Sequence, residues 1–311
     1  MNLKELGGEI AFIQRISREP SAREIKIGIG DDCAVVEIDP SRLHLYTTDM
    51  LIDGDHFSTA YFEPYDIGAK AMESNVSDIA AMGGKVLYAL VSLSIPEQIT
   101  VSFLDECYRG MYDVAARYSF DIVGGDTTHG KTLVINVTLV GETTPTLLKL
   151  RSAAEPGDLI AVSGPLGGST AGLRLFQKAI KGYSEIKRYH TSPKCSMNQL
   201  NEIICVAKAM EDVSDGLASE VRNICKNSGV GAQLFKEKIP LCTGIRETAA
   251  LLGDDPFDYA LFGGEDFKLV YTLSPANKGK VVGTVVGEIT DGANVFLDDK
   301  KLVHFGYDHF S

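Results

Sequence analysis

Apolar residues recur at helical spacing over residues 8–18, with acidic residues breaking the run, so the start of the chain reads as an amphipathic helix and not as a cleaved leader. Runs rich in Val, Ile and Leu predict strands over about 33–38, 43–48 and 86–94, and helical periodicity predicts helices over about 65–82 and 100–118. Strands over about 120–124 and 132–141 complete this half, and Thr143-Thr144-Pro145 then interrupts the pattern. That break divides the chain into residues 1–144 and 145–311. The second half opens with a strand running into SGPLGGSTAG (163–172), which feeds a helix. A helical stretch over about 196–209 comes next, then a helix led in by 212–216 and ending near Ser228. A strand near 231–235, a helix near 245–252 and strands near 268–273, 281–288 and 294–298 follow. Strands and helices alternating in this way imply layered α/β domains.

A length of 311 residues with 44% hydrophobic content supplies enough core for two such domains without covalent staples. The six cysteines form no C-x-x-C pair and no regular spacing, which argues against a disulfide framework or structural zinc and points to a reducing cytosol. The longest apolar stretches, such as 86–93, are far shorter than the roughly 18 residues a membrane span needs. A net charge of −12 repels a nucleic-acid backbone, so no nucleic-acid or membrane partner is expected.

The acids are informative by their placement. Five clusters sit at element boundaries beside glycine or small hydroxyl residues, where side chains can turn into a shared cleft. In GIGDDCAVV, Asp31 and Asp32 follow Gly28 and Gly30 into a strand. In TTDMLIDGDHF a strand ends at Thr47, Thr48 and Asp49, and Asp53, Asp55 and His56 lie in the loop beyond. In NVSDIAAMGG, Asn75 and Asp78 share a helix face, with Lys70 about two turns earlier. In GGDTTHG, Gly124 and Gly125 let backbone N–H groups approach an anion while Asp126 reaches a cation. In DVSDGL, Asp212 and Asp215 flank Ser214 at a helix start, and FGGEDF (262–267) repeats the Gly-Gly-acid theme. Singly, each cluster reads first as a turn or a helix cap. Together they hold more carboxylates than caps require, and buried in one place they would repel. Divalent cations with bound polyphosphate remove that conflict, and hard oxygen ligands suit magnesium.

The G-K-[ST] ending of a P-loop, the protein-kinase motifs and the G-x-S-x-G elbow are absent, and the six histidines are scattered singly. The ordered set GIGDDCAVV, TTDML...GDHF, NVSDIAAMGG, GGDTT, Arg151-Ser152, SG-x-LG-x-S-x-AGL, DVSDGL, FGGEDF and a terminal GYDHF resembles the thiamine-monophosphate kinases over nearly the whole chain. Their wider superfamily includes aminoimidazole ribonucleotide synthetase, selenophosphate synthetase and a hydrogenase maturation factor.

The resemblance implies a two-domain α/β fold of the aminoimidazole ribonucleotide synthetase type, whose N-terminal sheet pairs with that of a second subunit to form a β-barrel. ATP would lie between domains and subunits as co-substrate. Carried over by motif, Asp32, Thr47, Thr48, Asp49, Asp78, Asp126, Asp212 and Asp215 would hold several magnesium ions. Tyr108, Gly125, Asp126, Arg151 and Ser214 would contact ATP, and His56, Glu265 and Tyr307 would contact thiamine monophosphate. Three positions depart from the family pattern: Gly168 stands where Asp is frequent, His129 where Arg is, and Tyr307 where some members have Trp.

The acceptor in that reaction is a phosphate whose second pKa is about 6, so it is ionised at neutral pH and no general base is called for. The difficulty is bringing two anions in line, which metal ions held by carboxylates relieve. Another ATP-dependent member of the superfamily and a nucleotide-binding scaffold without turnover remain as alternatives at this point.

Overall fold

A computed structural model describes residues 22–307 together with Ala11 and Arg15. Apart from those two residues, the helix expected over 8–18 lies outside the described residues, as does the end of the GYDHF segment from residue 308.

The first half runs β1 (Ile25–Ile27), β2 (Ala34–Asp39), β3 (Arg42–Ile52), α1 (Pro64–Ala81), β4 (Lys85–Ile95), α2 (Val101–Tyr118), β5 (Asp121–His129) and β6 (Val134–Thr143). Its six strands lie in the order β1-β2-β3-β6-β4-β5, antiparallel except for the parallel pair β4 and β5. Period-two alternation sets the faces. On β3, Leu43, Leu45, Thr47 and Leu51 are buried, while Tyr46, Thr48 and Met50 are exposed on the other side. α1 packs on β3 and β6, and α2 packs on α1. The two helices approach so closely that a Cβ at Gly68 would come within 1.9 Å of the Cys107 carbonyl oxygen, so only glycine fits.

The second half runs β7 (Leu159–Val162), α3 (Gly168–Gln177), α4 (Ser184–Thr191), α5 (Leu200–Ile203), β8 (Met210–Asp212), α6 (Leu217–Ser228), β9 (Gly231–Leu234), α7 (Ile245–Leu252), α8 (Pro256–Phe262), β10 (Leu269–Leu273), β11 (Thr284–Thr290), β12 (Val295–Leu297) and β13 (Lys300–Lys301). The strands form a second sheet in the order β13-β12-β9-β11-β7-β10-β8. Each sheet has its own apolar core. A third cluster joins the halves, with Ala80 and Ala81 at the end of α1 packed among Leu200, Ile203, Met210 and Tyr271.

The α/β architecture is the expected one, and four local readings change. β3 continues to Ile52, so Asp49 lies within a strand and not at its end. β5 runs through Gly124-Gly125 to His129 because β4 pairs with it along that length. The helix expected over 196–209 shrinks to α5, and β8, paired with β10, carries Asp212 as its last residue. α4 and α8 are additional helices.

Candidate active site

Four segments bring acids to one buried place. The bend before β2 supplies Asp31 and Asp32, β3 supplies Thr47 and Asp49, α1 supplies Ser74, Asn75, Ser77 and Asp78, and the end of β8 supplies Glu211 and Asp212. Carboxylate oxygens of Asp32, Asp78 and Asp212 lie within 4.8 Å of one another. Thr47 Oγ1 donates to Asp78, and Ser77 Oγ donates to Asp212 Oδ2 at 2.6 Å. Asp49 stands against this group, its backbone N–H donating to Asn75 Oδ1 at 3.1 Å and its carboxylate bonded by Ser74. Asn75 and Asp78, three apart on α1, thus both turn toward β3. The 77–212 bond crosses between the halves, so each sheet contributes to the cluster.

Burial and mutual repulsion push these acids up. Asp78 rises well above the carboxylate range through burial and then through the charges of Asp49, Asp212 and Asp32. Asp212 rises well above it through burial and Asp32. Asp31 is pushed up to about 6, again by burial and by Asp32. One cation offsets part of this. Arg151 reaches Asp32 Oδ1 at 2.6 Å and Glu211 Oε1 at 2.9 Å, and its backbone N–H donates to Asp31 Oδ2 at 3.3 Å. Asp32 Oδ2 and Glu211 Oε2 are buried and have no protein partner. An all-oxygen donor set with orphaned carboxylate oxygens and too few cations fits a hard divalent ion such as magnesium, and does not fit zinc, which favours nitrogen and sulfur.

Asp212 and Asp215 are not helix caps. The N-cap of α6 is Gly216, with no side chain bonding the first turn. Asp215 instead donates its N–H to Glu220 Oε1 at 2.8 Å, and the Ser214 carbonyl accepts the Glu265 N–H at 2.7 Å. Thr48 is not brought to the cluster: it faces the opposite side of the sheet, where its hydroxyl donates to the Val137 carbonyl and lies 3.0 Å from Thr138 Oγ1. Gly125 and Asp126 are exposed on the edge strand β5, and α2, which carries Tyr108, packs along that strand. Gly125 has φ +152° and a Cβ there would come within 1.7 Å of the Val91 carbonyl oxygen, so this position tolerates no side chain.

The residues of the expected acceptor end lie together. Lys70 Nζ pairs with Glu265 Oε1 at 2.7 Å and donates to the His56 carbonyl at 2.7 Å. Tyr307 Oη donates to Asp55 Oδ1 at 3.4 Å, and the Tyr307 N–H donates to the Asp215 carbonyl at 3.3 Å. Burial alone would raise the Glu265 carboxyl, but the Lys70 ammonium and His190 hold it well below the usual range. The Gly168 departure has a steric reason. A Cβ at that position would meet the Tyr189 ring at 2.7 Å and Cys242 Sγ at 2.9 Å, so the space of the usual Asp is filled. His129 is exposed at the end of β5.

Sequence reasoning missed Glu211, Glu220 and His190 as parts of the site. Glu211 could have been found from the pattern, because an acid inside the apolar-flanked run Ala209–Val213 has to be paired when that run becomes a buried strand. His190 lies in a polar helix and carried no such signal.

Residues 30–143 match the family described as AIR synthase related protein, N-terminal domain, and residues 155–300 match its C-terminal domain. The two sheets and the acid-lined junction between them therefore define a two-domain AIR-synthase-related protein. Within that class, the thiamine-monophosphate kinase of Aquifex aeolicus is 36% identical over 315 residues, covering 100% of both chains. That of Escherichia coli K12 is 31% identical over 330 residues, covering 98% of each. The solved complex of AaThiL with AMPPCP and TMP superposes with a TM-score of 0.91 at 36% identity, covering 100% of this chain and 99% of that one. The chain belongs to the thiamine-monophosphate kinase family. No helix among the described residues is long and apolar enough to cross a membrane.

Proposed function

We propose that this protein transfers the γ-phosphoryl group of ATP to the phosphate of thiamine monophosphate, giving thiamine diphosphate and ADP, with magnesium held at the Asp32–Asp78–Asp212 cluster. The observation that carries the reading is three carboxylates, converging from both halves of the chain to within 4.8 Å, with one guanidinium between them and the Glu211 carboxylate. Such a site is stable in its charged form only with added cations. Asp49 and Thr47 complete the cluster, and Asp126 and Asp215, each in a more open position, serve further ions. Thr48, turned to the other face of the sheet, is left out of the set. When bound, magnesium neutralises these carboxylates and the charge that builds on the phosphates.

The chain's own groups do the rest. Arg151 fixes Asp32 and Glu211, the backbone at Gly125 and Ser214 lines the polyphosphate, and Tyr108 faces the nucleotide. His56, Glu265 and Tyr307 orient thiamine monophosphate so that its phosphate oxygen enters in line with the γ-phosphorus. The acceptor oxygen is ionised already, so no residue removes a proton, and the cluster offers no activated nucleophile beside a base. Transfer is direct. In this division of labour residues 1–144 carry most of the metal ligands, and residues 145–311 complete the ATP and acceptor sites. The sheet face that α1 and α2 leave uncovered displays Tyr46, Met50 and Leu90, which suits pairing with the same face of a second copy.

Incubating the protein with ATP, magnesium and thiamine monophosphate tests the reading. Thiamine diphosphate and ADP should form in equal amounts and cease on chelation. ATP binding without thiamine diphosphate would overturn it.

A further inference from the structure

Lys70 lies on α1 with 1% of its side chain exposed. A lysine ammonium is rarely held so deep, because it must leave water and every N–H needs a partner. Here each direction is filled: Glu265 Oε1 at 2.7 Å, the His56 carbonyl oxygen at 2.7 Å, and the Phe62 ring with its centroid 5.3 Å away. The three partners come from three segments. His56 belongs to the turn after β3, Phe62 to the approach to α1, and Glu265 to the loop after α8 in the other half of the chain.

Glu265 is set from its other side as well. Its backbone is in the left-handed region at φ 61°, a conformation that costs energy for a residue with a Cβ and persists only when neighbours over-determine it. Its second oxygen lies 3.4 Å from Ser169 Oγ and 3.5 Å from His190 Nδ1. His190 is buried among Phe62, Phe176 and Tyr61, and its Nε2 has no partner. The ring is therefore cheapest as the neutral tautomer that donates from Nδ1. Glu265 nevertheless keeps 27% of its side chain open. Where nothing but packing is at stake, a buried ion pair is replaced by apolar residues at little cost. A buried lysine that fixes a half-open carboxylate is doing something packing does not need.

We propose that Lys70 is a positioning residue for the acceptor: it holds the Glu265 carboxylate and the His56 turn in the arrangement that receives the cationic, amine-bearing body of thiamine monophosphate. The inference rests on the function proposed above and assigns Lys70 no contact with ATP and no part in the transfer step. Its effect passes through Glu265.

The test is a double-substitution cycle in the full-length protein, assayed for thiamine diphosphate with each co-substrate varied. Lys70→Met should raise KM for thiamine monophosphate about tenfold or more, as loss of a charged hydrogen bond does, and leave KM for ATP within about twofold. Glu265→Gln should raise the same KM. The double variant, which removes both buried charges together, should match Glu265→Gln alone. If Lys70→Met does not fold, the comparison of the double variant with Glu265→Gln still decides. Effects that multiply in the double variant, a parallel rise in both KM values, or an unchanged KM for thiamine monophosphate would overturn the role of Lys70. Absence of thiamine diphosphate with the unsubstituted protein would instead overturn the proposed function.

Discussion

Replacing Asp212 by Asn changes one charge and almost no shape, and its effect on stability should have the opposite sign from that of most buried substitutions. Two unit charges 4.8 Å apart, the outer separation of the three carboxylates, repel by about 3.5 kcal/mol at an effective dielectric constant of about 20. Asp212 takes part in two of the three pairs. In the metal-free protein the acids relieve part of this by keeping protons, which is why Asp78 and Asp212 are pushed up so far. A residue of about 1–3 kcal/mol is left for the substitution to release. The Ser77 hydroxyl can still donate to the amide oxygen, so no hydrogen bond is lost. Metal-free Asp212→Asn should therefore melt a few degrees above the metal-free parent. The order reverses with magnesium. An ion at about a hundred times its Kd adds about 2.7 kcal/mol to the parent, and the variant, short of a ligand, should gain less than about 1 kcal/mol. Turnover should fall about a hundredfold or more. Differential scanning calorimetry with and without magnesium reads all of this except the last. A metal-free variant that melts lower than the parent and keeps its full magnesium increment would refute the electrostatic account and return Asp212 to a purely structural part.

The pH dependence follows with a definite sign. Asp31, raised from about 3.8 to about 6, and Asp49, Asp78, Asp212 and Glu211, all raised, bind protons more tightly folded than unfolded, so metal-free stability should fall as pH rises from about 4. Asp31 alone accounts for about 2 kcal/mol between pH 4 and 6, and magnesium should flatten the slope; unfolding midpoints that climb through this window without metal would contradict it. Arg151→Met leaves the Asp32 and Glu211 carboxyls, 3% and 1% exposed, without their cation, and should cost about 3–5 kcal/mol at neutral pH and less at pH 5; urea unfolding showing a loss under about 1 kcal/mol would remove Arg151 from its place as counter-charge.

Periodicity carried most of the fold because most elements bury one regular face. α7, read over 245–252, coincides with Ile245–Leu252, and α1 differs by one residue at each end. α4 escaped because Tyr183 starts it in the left-handed region, no side chain caps it, and only Ile186, His190 and Thr191 of its eight residues are buried. α8 has a legible start, with Asp255 as N-cap and Pro256 behind it, but seven residues are too few to show a helical apolar rhythm. β8 could not be read locally at all. Three residues become a strand because β10 pairs with them, and that partner is about sixty residues away in sequence. Glycine misled at Gly124-Gly125, where the pair reads as a turn and is a strand, bare at Gly125 because the Val91 carbonyl leaves no room for a Cβ. In the site, motif-borne aspartates were visible because Asp beside Gly is conspicuous. Arg151 was legible, but its engagement with Glu211 was not, since the two residues are about sixty apart in sequence and meet only because Leu150 bridges to Ala209 just before β8.

That docking has a consequence for how the site works. Ser77 of α1 bonds Asp212 of β8, Arg151 bonds Asp32 and Glu211, and Lys70 of α1 pairs with Glu265, so three polar links at the cleft join the halves. Two of the acids reached by these links, Asp32 and Glu211, each keep a buried oxygen, Oδ2 and Oε2, without a protein partner. The apolar contact beneath, formed by Ala80, Ala81, Met210 and Tyr271, holds the halves together regardless of charge. Cohesion and alignment are thus separated: the apolar cluster supplies adhesion, and the polar links set the register of the acids. Metal occupancy changes the charge on the polar links alone, so it should shift the relative placement of Asp78 and Asp212 without loosening the joint, and the two halves should unfold together with or without magnesium.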